Sequence, residues 1–348
     1  MFFLNKISTQ EKVDLIRNLA LLIKSGAPID KSFNILADQS SPTLKKILEQ
    51  GRKKIERGVS ISEVFQGNPN FDKVFISFIK AGEESGTLSK NLEFLADWLE
   101  GKNTLEKEMS SATLYPKIII IFAVVLGSIL TVFVLPKMVP VFGTLDVQLP
   151  LTTRILLFIS DLIMENSFFL LLGIIIFSIL LFILSRLKSV KIFIYKTLLR
   201  IPVIGPLMKD YQLAIIAQLF SVLSRSGTTI NRILEIISDS AGNIEYKKSI
   251  DEIVIRVRKG TSLNESIKKY PRLFPGLFAS VVAVGEETGS LSDSFDYLAK
   301  FFTARVKEKT AKLPTVIEPV LLIAIGFFVA FIASAIIMPI YEVTKGLY

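Results

Sequence analysis

Two polar stretches of the chain carry apolar residues at the i, i+3, i+4 spacing of one helix face, seen most clearly over Leu15–Ile23 and Leu213–Leu223. The segments KSGAPI (24–29) and RSGTTI (225–230) each stop a helix with Gly and begin another, with Pro28 or Thr228 at the entry. RGVSISE (57–63) and KGTSLNE (259–265) repeat the pattern. Gly58 and Gly260 suit a helix C-terminus, and Ser60 with Glu63, or Ser262 with Glu265, fits the S-x-x-E box that satisfies orphan amides at a helix start. No strand-like alternation of useful length interrupts these regions, so the pattern predicts about six short helices in each. Three uncharged stretches, Ile118–Leu135, Phe168–Leu184 and Val320–Met338, approach the roughly 20 residues that cross a bilayer core.

The pattern is a duplication. GEESGTLSKNLEFLADWLE begins at Gly82 and GEETGSLSDSFDYLAKFFT begins at Gly285, and an offset of 203 carries one copy onto the other without a gap through Pro136 and Pro339. Each copy passes from a charged module into a hydrophobic stretch. The remaining hydrophobic stretch lies between them and returns the chain, so a three-span reading makes the repeat parallel, with both modules on one side.

Charge sets the side. Lys and Arg number 17 in residues 1–117, 2 in 136–167 and 21 in 186–315. The positive-inside rule places the first and last of these in the cytoplasm and 136–167 outside. The basic run RLKSVKIFIYKTLLR (186–200) directly follows a hydrophobic stretch and reads as an orientation signal with lipid contacts. Although the net charge is +9, the first module is nearly balanced by 15 acids, so no direct nucleic-acid binding is expected. The composition, 50% hydrophobic yet 21% charged, fits membrane spans alternating with soluble modules. With no Cys and no His, thiol chemistry, zinc fingers and histidine metal sites are excluded. No signal-peptide core precedes Asp14, so no cleaved export signal is expected.

The expected architecture is therefore an all-α polytopic membrane protein with three transmembrane helices and two homologous cytoplasmic helical-bundle modules in a parallel internal repeat. Residues 1–116 form the first module, 117–136 the first transmembrane helix, 137–167 an external loop and 168–185 the second transmembrane helix. Residues 186–315 form the second module, 316–339 the third transmembrane helix and 340–348 a short external tail.

Three matched motifs are candidates for function. The first is the turn Gly82-Glu83-Glu84-Ser85-Gly86, repeated as Gly285-Glu286-Glu287-Thr288-Gly289. Gly86 and Gly289 suit the left-handed conformation that ends a helix, whereas paired acids at a helix C-terminus are unfavourable. The carboxylates either turn toward the start of the following helix or meet a cationic partner or a weakly held cation. Two glutamates do not specify a metal site, and no catalytic residue, cofactor or metal is expected. The turn also lacks the G-x-x-x-x-G-K-[ST] spacing of a phosphate loop. The second motif is Tyr115-Pro116, matched by Glu318-Pro319, read as a bend where each module enters the membrane. The third is a small-residue seam, Ala123, Gly127 and Thr131, matched by Gly326, Ala330 and Ser334, which would let helix backbones approach closely in lipid.

LLIKSGAPI, RGVSISE, GEESGTL, the Tyr115-Pro116 entry, LPLTTRIL (149–156), IPVIG (201–205), VGEETGSL (284–291) and Glu318-Pro319 occur here in an order that resembles the type II secretion system F family, the platform proteins of type IV pilus and type II secretion machines. The resemblance covers nearly the whole chain. Many members carry an additional N-terminal segment; this sequence begins almost at the first helix, which points to the shorter competence-type versions. The resemblance implies a non-enzymatic scaffold in the bacterial inner membrane. Its partners would be a hexameric cytoplasmic ATPase, pilin or pseudopilin subunits, other inner-membrane assembly proteins and copies of itself, forming a homo-oligomer. The alternative reading is a small transporter or channel subunit with helical cytoplasmic domains, against which the spans carry no ionisable residue. A membrane-anchored enzyme is a second rival, weakened by the missing catalytic motifs.

Overall fold

A computed structural model describes residues 7–112, 114–129 and 204–345, with single positions at 133, 154, 155, 158, 180 and 190. Every regular element among the described residues is a helix. The first copy contains α1 (Thr9–Lys24), α2 (Ile29–Asp38), α3 (Pro42–Ile55), α4 (Ile61–Phe65), α5 (Lys73–Ser85) and α6 (Leu88–Ala112), followed by α7 (Leu114–Ile129). The second contains α8 (Ile204–Arg225), α9 (Ile230–Ser240), α10 (Ile244–Arg258), α11 (Leu263–Lys268), α12 (Gly276–Glu287) and α13 (Leu291–Lys345). The expected six helices thus occur in each copy. Three matched pairs of glycines, Gly26/Gly227, Gly58/Gly260 and Gly86/Gly289, stand at helix ends with positive φ. Ser60 and Ser262 accept hydrogen bonds from the amides of Glu63 and Glu265, capping α4 and α11.

The chain divides into two compact units: residues 1–108 with 197–309, and residues 109–196 with 310–348. In the first unit each copy builds its own aromatic core. Phe71 and Phe75 lie 4.6 Å apart by ring centroids, and their counterparts Phe274 and Phe278 lie 5.3 Å apart. Elsewhere the copies redistribute bulk. A Cβ on Gly51 would stand 3.0 Å from the Phe33 ring, whereas the second copy has Ile253 and Leu234 at the matched positions, both buried. Trading ring volume for branched aliphatic volume preserves close packing. An ion pair between the first and last helices is also duplicated, as Lys24–Glu93 at 2.9 Å and Arg225–Asp296 at 2.5 Å.

The two copies share this unit and pack against each other. Helix α5 lies on α9, and Lys73 pairs with Asp239 at 2.9 Å. The side-chain amide of Gln218 on α8 rests against Gly101 on α6, where a Cβ would displace it.

In the second unit α7 packs against the apolar part of α13. Gly127 is buried, and a Cβ on it would lie 2.3 Å from Cζ of Phe328. Among the described residues one helix, α13, is long and apolar enough to cross a membrane, and 117–129 is a shorter apolar stretch. The second span expected from sequence, the loop 137–167 and the basic run 186–200 lie outside the described residues apart from the isolated positions.

The duplicated glutamate turn, a candidate functional site

Each residue of the turn has a separate physical task. Helix α5 ends at Gly86, whose φ of +68° belongs to the left-handed region, and the Thr87 amide returns to the Gly82 carbonyl at 3.0 Å. Gly289, at φ +70°, follows the Thr288 cap of α12, whose amide returns to the Val284 carbonyl at 3.0 Å. Gly82 lets α5 cross the start of α6: a Cβ there would stand 2.9 Å from Cα of Leu88 and 3.0 Å from Cβ of Asn91. At Gly285 a Cβ would stand 2.4 Å from Oγ of Ser294. Any larger residue would push the two helices apart.

The first glutamate of each pair is a clamp. The Glu83 carboxylate accepts from the Ile61 amide, from the Ser62 amide at 3.2 Å and from the Ser62 hydroxyl at 2.6 Å. Glu286 accepts from the amides of Leu263 at 2.7 Å and Asn264 at 3.0 Å. Both therefore cap the short helix that precedes them, α4 or α11. This corrects the expectation that the carboxylates turn toward the following helix. The reason is geometric: Ser60 and Ser262 satisfy only the third amide of their helices, leaving two donors that one bidentate carboxylate fits. The helix dipole adds to the attraction, since the negative group sits at an N-terminus.

The second glutamate of each pair points outward. Glu84 is exposed, 3.8 Å from Lys80, and lines a groove of about 480 Å³ between the copies with Ser77, Arg232 and Ile236. Glu287 is exposed, with no partner among the described residues. A second groove, of about 450 Å³, is lined by Phe94, Asp97, Gln218, Val222, Arg225 and Lys300. Burial raises the Asp97 carboxyl above its ordinary value, opposed by Arg17 and Arg225. Motif reading missed these groove residues. Their signal was available only by comparing matched positions of the two copies for size and polarity.

The other candidates fall as follows. Pro116 lies within the helical residues of α7, and the side chains of Tyr115 and Pro116 are outside the described set. Glu318 is exposed, and Pro319 lies within α13, which is continuous from Leu291 to Lys345. Of the seam, Ala123 and Gly127 face α13, and Thr131 is outside the described residues. Gly326 and Ala330 do not face α7. Both are exposed, and a Cβ on Gly326 would meet nothing within 4 Å. The α13 side of the contact is instead Leu321, Ala324, Ile325 and Phe328. A ring fills the space opposite Gly127, so the partner helix needs no small residue there. Ser334 is half-buried and donates to the Phe331 carbonyl at 2.8 Å. Among the described residues no group of three His, Cys, Asp or Glu is placed to hold a metal ion.

The chain matches the family described as "Type II secretion system (T2SS), protein F" over residues 15–136 and again over residues 216–339. It is 30% identical over 332 residues to the type IV pilus assembly protein PilC of Thermus thermophilus, covering 94% of this chain and 81% of that protein. Identity to PilC of Pseudomonas aeruginosa is 25% over 340 residues, covering 97% of this chain and 91% of the relative. Type II secretion system protein F of Vibrio cholerae is 28% identical over 345 residues, with 99% and 85% covered. Each matched stretch holds one glutamate turn and one apolar helix, and on that double match this chain belongs to the type II secretion system protein F family.

Proposed function

We propose that this protein is an inner-membrane platform on which a type IV pilus or type II secretion machine is assembled. The observation that carries the reading is the family match on both copies, together with relatives named for pilus assembly and for type II secretion over almost the whole chain. In this reading three transmembrane helices anchor the chain, and both modules lie in the cytoplasm. There they couple a hexameric ATPase to the movement of pilin or pseudopilin subunits from the bilayer into a filament. The protein performs no chemistry of its own. The grooves between the modules and the outward Glu84 and Glu287 are the surfaces offered to partners.

The test has a genetic and a biochemical arm. Deleting the gene should abolish filaments or secretion, and the intact gene should restore them. The purified chain in detergent should hydrolyse no ATP alone and should raise the turnover of the machine's ATPase. Normal filaments and secretion in the deletion strain, or hydrolysis by the chain alone, would defeat the proposal.

A further inference from the structure

The hairpin of α5 and α6 touches the second copy at its base and leaves room toward its tip. At the base, Lys73 pairs with Asp239 at 2.9 Å, and Gly101 meets the side-chain amide of Gln218. These two contacts are neighbours, because Lys102 bridges to Asp72 at 3.6 Å across the hairpin. Toward the tip, one groove opens between residues 77–85 of α5 and residues 226–236 of the second copy. The other opens between Phe94 and Asp97 of α6 and residues of α8 and α13. Lys73 meets the end of α9 while Ser85 shares a groove with its start, so the two helices run in opposite directions from a closed end. Glu84 lies about 16 Å along the helix from Lys73.

The facing surfaces suit motion. Phe75, Phe78 and Ile79 are at most 1% exposed and turn into the first copy's own core. What α5 shows to α9 is Lys73, Ser77, Lys80, Ala81 and Glu84, a row at three- and four-residue spacing. An interface built of short and charged side chains around an exposed ion pair is weak. Relative motion is the default unless such an interface is large and apolar.

The charges at the tip offer a second arrangement. Glu84 stands 3.8 Å from Lys80, a looser contact than the pair at the base. Arg232 lines the same groove from the other side and pairs with Glu235 at 3.0 Å. Glu235 also holds Arg258. Releasing Arg232 therefore leaves Glu235 paired, and releasing Lys80, an exposed side chain, leaves it in water.

We propose that the two copies pivot about the Lys73–Asp239 end, and that Glu84, passing from Lys80 to Arg232, latches the groove shut. The structure holds the open arrangement. Each arrangement keeps every charge paired or solvated, so a small bias moves the balance between them. On the platform reading, a partner that takes Glu84 removes the latch, and partner binding then sets the angle between the copies. The duplicated modules change their relation in this way without unfolding either core.

The chain has no cysteine, so spin labels go only where cysteine is introduced. Full-length protein in detergent carries Lys90→Cys with Asn231→Cys, both exposed and outside the groove lining, to span the tip. Pro69→Cys with Gly242→Cys, also exposed, spans the base. Pulsed electron–electron double resonance should give two distances at the tip and one at the base. Glu84→Gln or Arg232→Gln should shrink the short tip population roughly two- to fivefold, the ratio one exposed ion pair carries, with helix content unchanged. Lys80→Met should enlarge it, and exchanging the charges, Glu84→Arg with Arg232→Glu, should restore it. A single tip distance overturns the proposal. So does a short population indifferent to both Gln variants, or a base that spreads as widely as the tip, which would mean that the copies separate rather than pivot. These distances are read on the chain alone, so they stand or fall apart from the platform reading.

Discussion

The Glu83 carboxylate meets both polar groups of Ser62, its amide at 3.2 Å and its hydroxyl at 2.6 Å, so the end of α5 closes the beginning of α4. Glu286 does the same for α11. The two glutamates of each turn are thereby separated into an inward, structural residue and an outward, accessible one.

Replacing Glu83 with Ala should destabilise the protein by about 1–3 kcal/mol, because it strands two helix-start amides and a hydroxyl that shared one charged acceptor. For a unit of this size that is a fall in melting temperature of roughly 3–10 °C, read by circular dichroism. Glu84→Gln should stay within about 0.5 kcal/mol of the parent. A partner that docks on the turn should be lost in Glu84→Gln with folding intact; equal melting losses in the two variants would refute the division of labour.

Gly127→Leu should disturb the contact between α7 and α13, where a Cβ already falls 2.3 Å from the Phe328 ring. Overfilling of this kind costs about 1–3 kcal/mol, and Phe328→Ala in the same chain should recover part of it. Val124 borders the same contact, so Ile121→Leu, at a position exposed on α7, is the neutral control. Thermal unfolding in detergent measures all three; a Gly127→Leu protein as stable as the control would remove the close approach.

The Lys73–Asp239 pair should give the contact between the copies a pH dependence. The hydrogen bond from Lys73 holds the Asp239 carboxyl below its ordinary value against the opposing effect of burial, with Lys247 assisting. A lowered folded value means the stabilisation is fully present above the unfolded carboxyl's value of about 3.9 and is lost as pH falls through the folded value. Lys73→Met should therefore melt slightly below the parent at pH 7, and the gap should close in acid. High salt should narrow it as well, since both side chains are largely exposed. A gap that persists below pH 2 would assign the effect to the lysine's packing.

Reporter fusions test the membrane orientation. Those at Glu100 and Lys247 should be cytoplasmic and one at Asp146 exported, because Lys and Arg crowd the first two regions. A fusion at Lys247 found outside would break the parallel repeat.

What the sequence determined by itself was local or repeated. The positive-φ glycines at 26, 58 and 86 and at 227, 260 and 289 were legible because a helix end that turns left has one favoured residue. The serine caps at Ser60 and Ser262 were legible because donor and acceptor lie three residues apart. The duplication followed from comparing the chain with itself. Tertiary structure alone decided which helix start Glu83 would reach, since the amides it holds lie 21 and 22 residues upstream and every helix N-terminus offers the same positive end. It also decided which side of α13 faces α7. Small residues at 326 and 330 permit a close approach without compelling one, and the contact formed where the Phe328 ring could fill the space left by Gly127. Steric fit between distant segments depends on how each helix is rotated about its axis, and that rotation is set by every side chain it buries at once.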